Sequence, residues 1–324
     1  VNDRVVDANL SLPPLGVGTW AWGDKAVWGM GGYDEALNEA AITEAWATSI
    51  DAGVGFFDTA EVYGDGESER IIGRLLAADP ERAAKAVIAT KFMPVPWKLN
   101  VGTALRRSLE ASLERLGLEK VALYQIHGPI SLRGHGALAE ALAEVHRDGL
   151  VESVGVSNYS VKELHSIFKQ LNQRGVHLAT NQIEFSLLRR DPETNGLLAA
   201  CRELGVIPLA YSPLGQGRLT GKYDASNPPP GRRGFGNHPM ETVDRLVATL
   251  REVGERHERT PSQVALNWII AKGAVPIPGA KNGGQAADNA GGANWTLGVD
   301  DVAALDAVAL TARPSIRARL WQHG

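Results

Sequence analysis

Short apolar runs of three to six residues alternate with stretches of helical periodicity along the chain, and this alternation constrains the fold more than any other feature. Strands are expected at 16–18, 56–58, 87–90, 121–126, 153–156, 180–184, 206–211 and 274–277. Helices are expected at 38–52, 68–77, 102–116, 137–148, 161–172, 194–204 and 261–271. The last carries its own start signal, with Thr260 as N-cap and Pro261 at the first helical position. Strand, helix and strand in succession build parallel pairing through crossover helices, which places the chain in the α/β class. Eight such units close most naturally into a single (β/α)8 TIM barrel, one domain over residues 1–324. An open doubly wound sheet is the alternative. It is disfavoured because no Gly-x-Gly-x-x-Gly opens a first helix after a first strand.

Composition excludes more than it assigns. A net charge of -4 gives no drive toward nucleic acid or an anionic membrane. No run approaches the ~20 apolar residues that a membrane helix needs. The single Cys201 rules out an intramolecular disulfide, fits a reducing compartment, and reads as a small buried hydrophobe within a helix. The start of the chain shows neither a basic flank nor an apolar core. A cytoplasmic location is therefore expected, or an organelle if a transit peptide preceded Val1. The expected state is a monomer or weak homo-oligomer.

Four polar residues lie at or just beyond strand ends: Asp58 and Tyr63 after the second strand, Lys91 after the third, His127 after the fourth. The C-terminal mouth of a barrel collects such residues. Together they are the parts of a proton donor. A free tyrosine titrates near ~10 and is a poor acid at neutral pH. A lysine beside it favours the phenolate, a carboxylate keeps the lysine charged, and an imidazole shares the proton or orients a carbonyl. A site of this kind protonates an oxygen while another group delivers electrons. A metal site is the competing reading of His and Asp. The eight histidines form no His-x-His or His-Glu-x-x-His, so no metal is expected.

The segment from Phe56 to Glu69, Phe-Phe-Asp-Thr-Ala-Glu-Val-Tyr-Gly-Asp-Gly-Glu-Ser-Glu, resembles the aldo-keto reductase signature. Ala89-Thr90-Lys91-Phe92, Tyr124-Gln125-Ile126-His127 and Val154-Gly155-Val156-Ser157-Asn158 resemble further signatures of that family, in the same order. The resemblance runs from Leu15 to about Asn289. It implies an NADPH-dependent oxidoreductase that reduces aldehydes and ketones to alcohols. Tyr63 would be the general acid, assisted by Lys91, Asp58 and His127, while the reduced nicotinamide supplies hydride.

The resemblance also implies a cofactor site. Ser157, Asn158 and Gln182 would hydrogen-bond the carboxamide, and Tyr211 would stack on the nicotinamide. Ser212, Leu214, Gly215 and Gly217 would hold the pyrophosphate through backbone amides. Gly279 and Lys281 follow the eighth strand, where a helix N-terminus favours an anion. Lys281 would grip the 2′-phosphate, alone or with Arg232 or Arg233, and Gln285 and Asn289 would face the adenine. Relatives further suggest that residues 5–10 form one arm of a small β-hairpin closing the barrel bottom.

Trp20, Trp22, Trp28 and Trp97 lie in loops after the first and third strands, where they wall a substrate pocket or anchor their loops. A small-molecule carbonyl is the expected partner. Two alternatives stand beside the reductase. One is a nucleotide-binding regulatory subunit, like the potassium-channel β subunits that share this resemblance. The other is a barrel hydrolase or lyase using Asp58 and His127, which leaves Lys91 and Tyr63 without a role.

Overall fold

The computed structural model describes residues 10–23, 37–229, 238–311 and 323–324. Eight strands pair in chain order, all parallel: β1 Val17–Gly18, β2 Phe56–Asp58, β3 Val87–Phe92, β4 Val121–Ile126, β5 Val151–Ser157, β6 Leu178–Glu184, β7 Ile207–Tyr211 and β8 Val275–Pro276. The last strand returns to the first. Gly16 N–H donates to Pro276 O at 2.9 Å, Gly18 N–H donates to Pro278 O at 3.0 Å, and Gly18 bridges Gly279. This joins the two edges and makes the sheet the expected barrel rather than an open doubly wound sheet.

Strand alternation sorts the core into two parts, because successive side chains point to opposite faces. Phe56, Ala89, Leu123, Ala179, Ile207, Leu209, Val275 and Ile277 form one buried cluster, with Leu10 and Leu12 of the entering chain packed into it. Phe57, Ile88, Tyr124, Val154 and Ile183 alternate with them and face the surrounding helices in a second, larger cluster. The same phase carries Asp58, Lys91, Gln125 and His127 inward, above the apolar layer.

Crossover helices follow the expected order, and their ends are set by local chemistry. Ser160 and Glu163 make a capping box at the start of Val161–Asn172, and Thr260 and Gln263 make another before Pro261–Ala271. The expected helix over 194–204 begins only at Leu197. Asn195 accepts the Leu197 N–H at 3.0 Å and Gly196 takes φ 87°, so the preceding turn Asp191–Thr194 stays separate. Helices Met240–His257 and Val299–Val308 also pack on the barrel. The proposed hairpin arm falls almost wholly outside the described residues, as do Trp28, Arg232 and Arg233. Among the described residues no helix is long and apolar enough to cross a membrane.

Candidate active site

The four sequence candidates converge at the C-terminal ends of β2, β3 and β4. Asp58 and Lys91 are 1% and 0% exposed and form a buried ion pair through Oδ2 and Nζ. Lys91 Nζ also donates to Thr59 O at 2.8 Å and lies 3.3 Å from the Tyr63 hydroxyl. The His127 ring stands edge-on to the Tyr63 ring, with centroids 5.6 Å apart. The ammonium therefore touches the carboxylate on one side and the phenol on the other.

Burial would drive the Lys91 proton off, but Asp58 and Tyr63 outweigh it and hold the lysine above its ordinary pKa. The sequence expectation for Tyr63 needs correction. Burial pushes the phenol up, Lys91 pulls it down, Asp58 pushes it up again, and the net direction is upward. Tyr63 thus rests protonated, with the Lys91 ammonium placed where it would favour a phenolate. His127 is driven well below the ordinary histidine value, first by burial and then by Lys91. Its imidazole is neutral at neutral pH.

Tyr63 is held from behind. Its carbonyl accepts the Ser68 N–H at 3.2 Å. The Ser68 hydroxyl meets Thr19 Oγ1 and Thr59 Oγ1, each at 2.9 Å. Glu69, fully buried, accepts from Thr90 Oγ1 at 2.5 Å and Arg115 Nε at 2.6 Å. The helix Glu67–Ala78 that follows Tyr63 is thereby fastened to the ends of β1, β2 and β3.

The cofactor candidates of β5 to β7 form one connected set. Ser157 Oγ donates to Gln182 O at 3.0 Å, and Asn158 Nδ2 donates to Ser157 Oγ at 3.2 Å. Tyr211, at the end of β7 and only partly buried, donates its hydroxyl to Asn158 Oδ1 at 2.9 Å. Asn158 itself takes φ 64°, and its carbonyl accepts the His323 N–H at 3.2 Å. Polar side chains beside a partly open aromatic face suit a flat ring bearing a carboxamide.

The phosphate candidates behave differently from expectation. Ser212 and Gly215 adopt φ 51° and 55° and Gly217 φ 92°, so the chain does curl tightly. However, Gly215 N–H donates to Ser212 O, and Gly217 N–H and Leu219 N–H donate to Leu214 O. These amides close the turn and are not presented as a cradle. Leu214 leans on the core. After β8, Gln285 Oε1 accepts the Lys281 N–H at 3.0 Å, and Asn289, 6% exposed, donates to Gly279 O at 3.2 Å. Asn289 holds the turn from a buried position, whereas Gln285 makes its contact from the exposed face of the helix. Asn282 caps the helix Gly283–Ala290, and Glu44 accepts the Gly283 N–H at 3.2 Å. An anion here has the Lys281 side chain to meet, with much of the helix N-terminus already satisfied.

The tryptophans separate. Trp22 is 2% exposed, donates its indole N–H to Ala280 O at 2.7 Å and packs on Phe57, so it anchors the core and walls no pocket. Trp20 is partly exposed, and Trp97 is 78% exposed. Leu99 and Leu132 are also exposed, and Arg133 Nε donates to Leu99 O at 2.7 Å, tying the loops after β3 and β4 together. Glu61 joins this rim to the Tyr63 loop by accepting the Met93 N–H at 2.7 Å and Lys98 Nζ at 3.3 Å.

Sequence reasoning missed Gln125 as a site residue. Fully buried, it donates to Asp58 Oδ1 at 3.0 Å, beside Gln182, which donates to the same oxygen at 2.9 Å. The period-two phase that turns His127 inward turns Gln125 inward as well, and that signal was present in the sequence. Among the described residues no group of His, Cys, Asp and Glu could hold a metal ion.

Residues 14–310 match the Aldo/keto reductase family. The chain is 36% identical to the chloroplastic pyridoxal reductase of Arabidopsis thaliana, over 97% of this chain and 87% of that protein. It is 30% identical to a 6-dehydroglucose reductase of Novosphingobium aromaticivorans, over 87% and 91%. Among solved structures it is similar to the glycerol dehydrogenase of Gluconobacter oxydans, with a TM-score of 0.79 and 28% identity over 95% of each chain. It is also similar to a Klebsiella pneumoniae aldo-keto reductase crystallised with NADPH, with a TM-score of 0.72 and 25% identity over 94% and 93%.

Proposed function

The chain belongs to the aldo/keto reductase family, and from that premise we propose that it reduces aldehydes and ketones to alcohols with NADPH, using Tyr63 as the acid. The observation that carries the reading is the buried Asp58–Lys91 pair, with Lys91 set 3.3 Å from the Tyr63 hydroxyl. The bound dinucleotide would supply the hydride, which no side chain can. Ser157, Asn158, Gln182 and Tyr211 would hold its nicotinamide end and Lys281 its 2′-phosphate.

Each residue of the mouth then has one task. Tyr63, protonated at rest, gives its proton to the carbonyl oxygen as negative charge develops there. Lys91 stabilises the phenolate left behind, and Asp58 keeps Lys91 cationic within a buried site. His127, neutral, donates an N–H that aligns the carbonyl oxygen. A neutral imidazole is a poor proton source, which favours the phenol as the acid.

The exposed rim of Trp97, Leu99 and Leu132 supports substrates with an aromatic or apolar body. The naming of a 36% identical relative as a pyridoxal reductase supports pyridoxal as the first aldehyde to try. NADPH oxidation is followed optically against pyridoxal, 4-nitrobenzaldehyde, methylglyoxal and a steroid ketone, with NADH in parallel. Turnover that disappears in Tyr63→Phe, with NADPH affinity kept, is the expected result. Full activity in that variant would overturn the mechanism. Tight NADPH binding without turnover of any carbonyl would favour the regulatory-subunit reading instead.

A further inference from the structure

Asp58 divides its two carboxylate oxygens unequally. Oδ2 takes Lys91, while Oδ1 accepts amide N–H groups from Gln125 at 3.0 Å and Gln182 at 2.9 Å. A carboxylate only accepts, so both glutamines must turn their NH2 groups toward it. The Gln182 amide nitrogen also lies 3.5 Å from Gln125 Oε1, which accepts Thr180 Oγ1 at 3.4 Å. Both protons of the Gln182 amide thereby have acceptors within the barrel. The Gln182 amide oxygen is left as the group it can offer to a ligand.

A second observation shows that the barrel accommodates this layer. Lys91, Gln125, Gly155 and Thr180 stand in register across β3, β4, β5 and β6. A Cβ on Gly155 would lie 2.1 Å from Thr180 Oγ1 and 3.0 Å from Gln125 Cγ. Only a residue without a side chain lets Gln125 and Thr180 meet across β5. Gln125, Thr180 and Gln182 are all at least nine-tenths buried.

We propose that Gln125 is a positioning residue of this site. Acting through Asp58 and Gln182, it fixes the Gln182 amide so that its oxygen meets the dinucleotide carboxamide, and it draws negative charge away from Asp58. It thus ties the cofactor half of the site to the proton-donating half. The proposal rests on the reductase reading above.

Two readouts distinguish this from ordinary packing. The first is NADPH affinity, measured by fluorescence titration without substrate. The second is the alkaline limb of the pH profile of kcat, set by Tyr63 among the groups that face it: Asp58, Lys91 and His127. Gln125→Met keeps the length but removes both donor and acceptor. It should weaken NADPH binding about three- to tenfold, the scale of one hydrogen bond. It should also move the limb up by about half a pH unit, because Asp58 then presents more negative charge to the phenol. Gln125→Glu, buried 3.0 Å from the Asp58 carboxylate, takes up a proton; its O–H then donates to Asp58 and its carbonyl accepts from Gln182, so affinity and limb should both return toward the unaltered values. A purely structural role would shift both readouts together with the melting temperature.

Unchanged affinity and an unchanged limb in folded Gln125→Met would overturn the proposal. If that variant fails to fold, Thr180→Val takes its place. It removes one support of the Gln125 carbonyl and should lower NADPH affinity about twofold, with no change counting against the proposal. Absence of NADPH binding by the unaltered protein would overturn the reductase reading, and this proposal with it.

Discussion

Replacing Asp58 by Asn tests the heart of the site, because the change keeps shape and hydrogen-bond acceptor but removes the charge that faces Lys91. Gln125 and Gln182 can still donate to the carbonyl of the substituted amide, so those contacts largely survive. Lys91 is fully buried, and its remaining contacts are Thr59 O at 2.8 Å and the neutral Tyr63 hydroxyl. Two routes give the size of the loss. Stripping one partner from a buried ion pair costs about 3–5 kcal/mol. The loss is also capped by deprotonating the lysine instead, which from an ordinary value of ~10.4 down to pH 7 costs about 4.6 kcal/mol. A loss of about 3–5 kcal/mol at pH 7 follows from both.

The sign of its pH dependence also follows. In the unaltered protein Lys91 is held above its ordinary pKa, so it contributes stability below that value and loses it as pH rises through the folded value. In Asp58→Asn the lysine is buried without a counter-ion and is depressed. Its cost is absent above the ordinary lysine value and grows as pH falls below it. The gap between the two proteins should therefore narrow from pH 7 toward pH 10, by up to about 1.4 kcal/mol per unit. Urea unfolding of both proteins at several pH values measures this directly. A gap under about 1 kcal/mol at pH 7, or one that stays constant with pH, would refute the claim that Asp58 compensates the Lys91 charge.

Two further outcomes are expected. Lys281→Ala should weaken NADPH at least about tenfold while NADH changes little, the loss of a charge-assisted phosphate contact; equal losses in titrations of the two dinucleotides would place the 2′-phosphate elsewhere. Cys201 is fully buried and its thiol is pushed up to about 12, so it should resist a thiol reagent in the folded protein and react on unfolding. Rapid labelling under native conditions would contradict that burial.

The barrel was legible because several of its strands advertise themselves twice, by an apolar run and by the polar residue that ends it, as Asp58, Lys91 and His127 do. Phe56-Phe57-Asp58 and Leu123-Tyr124-Gln125-Ile126 can be read residue by residue for the side each faces. The longer extents of β5 and β6 were less legible. Val151, Glu152 and Ser157 of β5 and Leu178 and Ala179 of β6 join their strands by extending the pairing with the neighbouring strands, as Val151 does with Val121 and Leu178 with Val154, which no local pattern shows. Trp22 illustrates the same limit, since its anchor is the Ala280 carbonyl on the far side of the chain. Loop composition near Ser212 and Gly217 suggested an amide cradle, yet composition does not say which amides the turn consumes. The net direction of the Tyr63 shift was hidden for a similar reason. Sequence supplies the neighbouring charge, whereas the opposing effect of burial exists only once the chain is folded.

The fastening of Tyr63 bears on how this chain can change over evolutionary time. Tyr63, the proposed proton donor, is rooted through Ser68 and Glu69 at the ends of β1 and β2 and in β3, so most drift near it is paid for in stability. Trp97, Leu99 and Leu132 hang on loops that Arg133 ties to each other, and that Glu61 joins to the Tyr63 loop through Met93 and Lys98. Inheritance can therefore rewrite the rim while Tyr63 beneath it stays as it was. New substrate ranges should arise by exchanging those loops, and a duplicated copy would diverge there first.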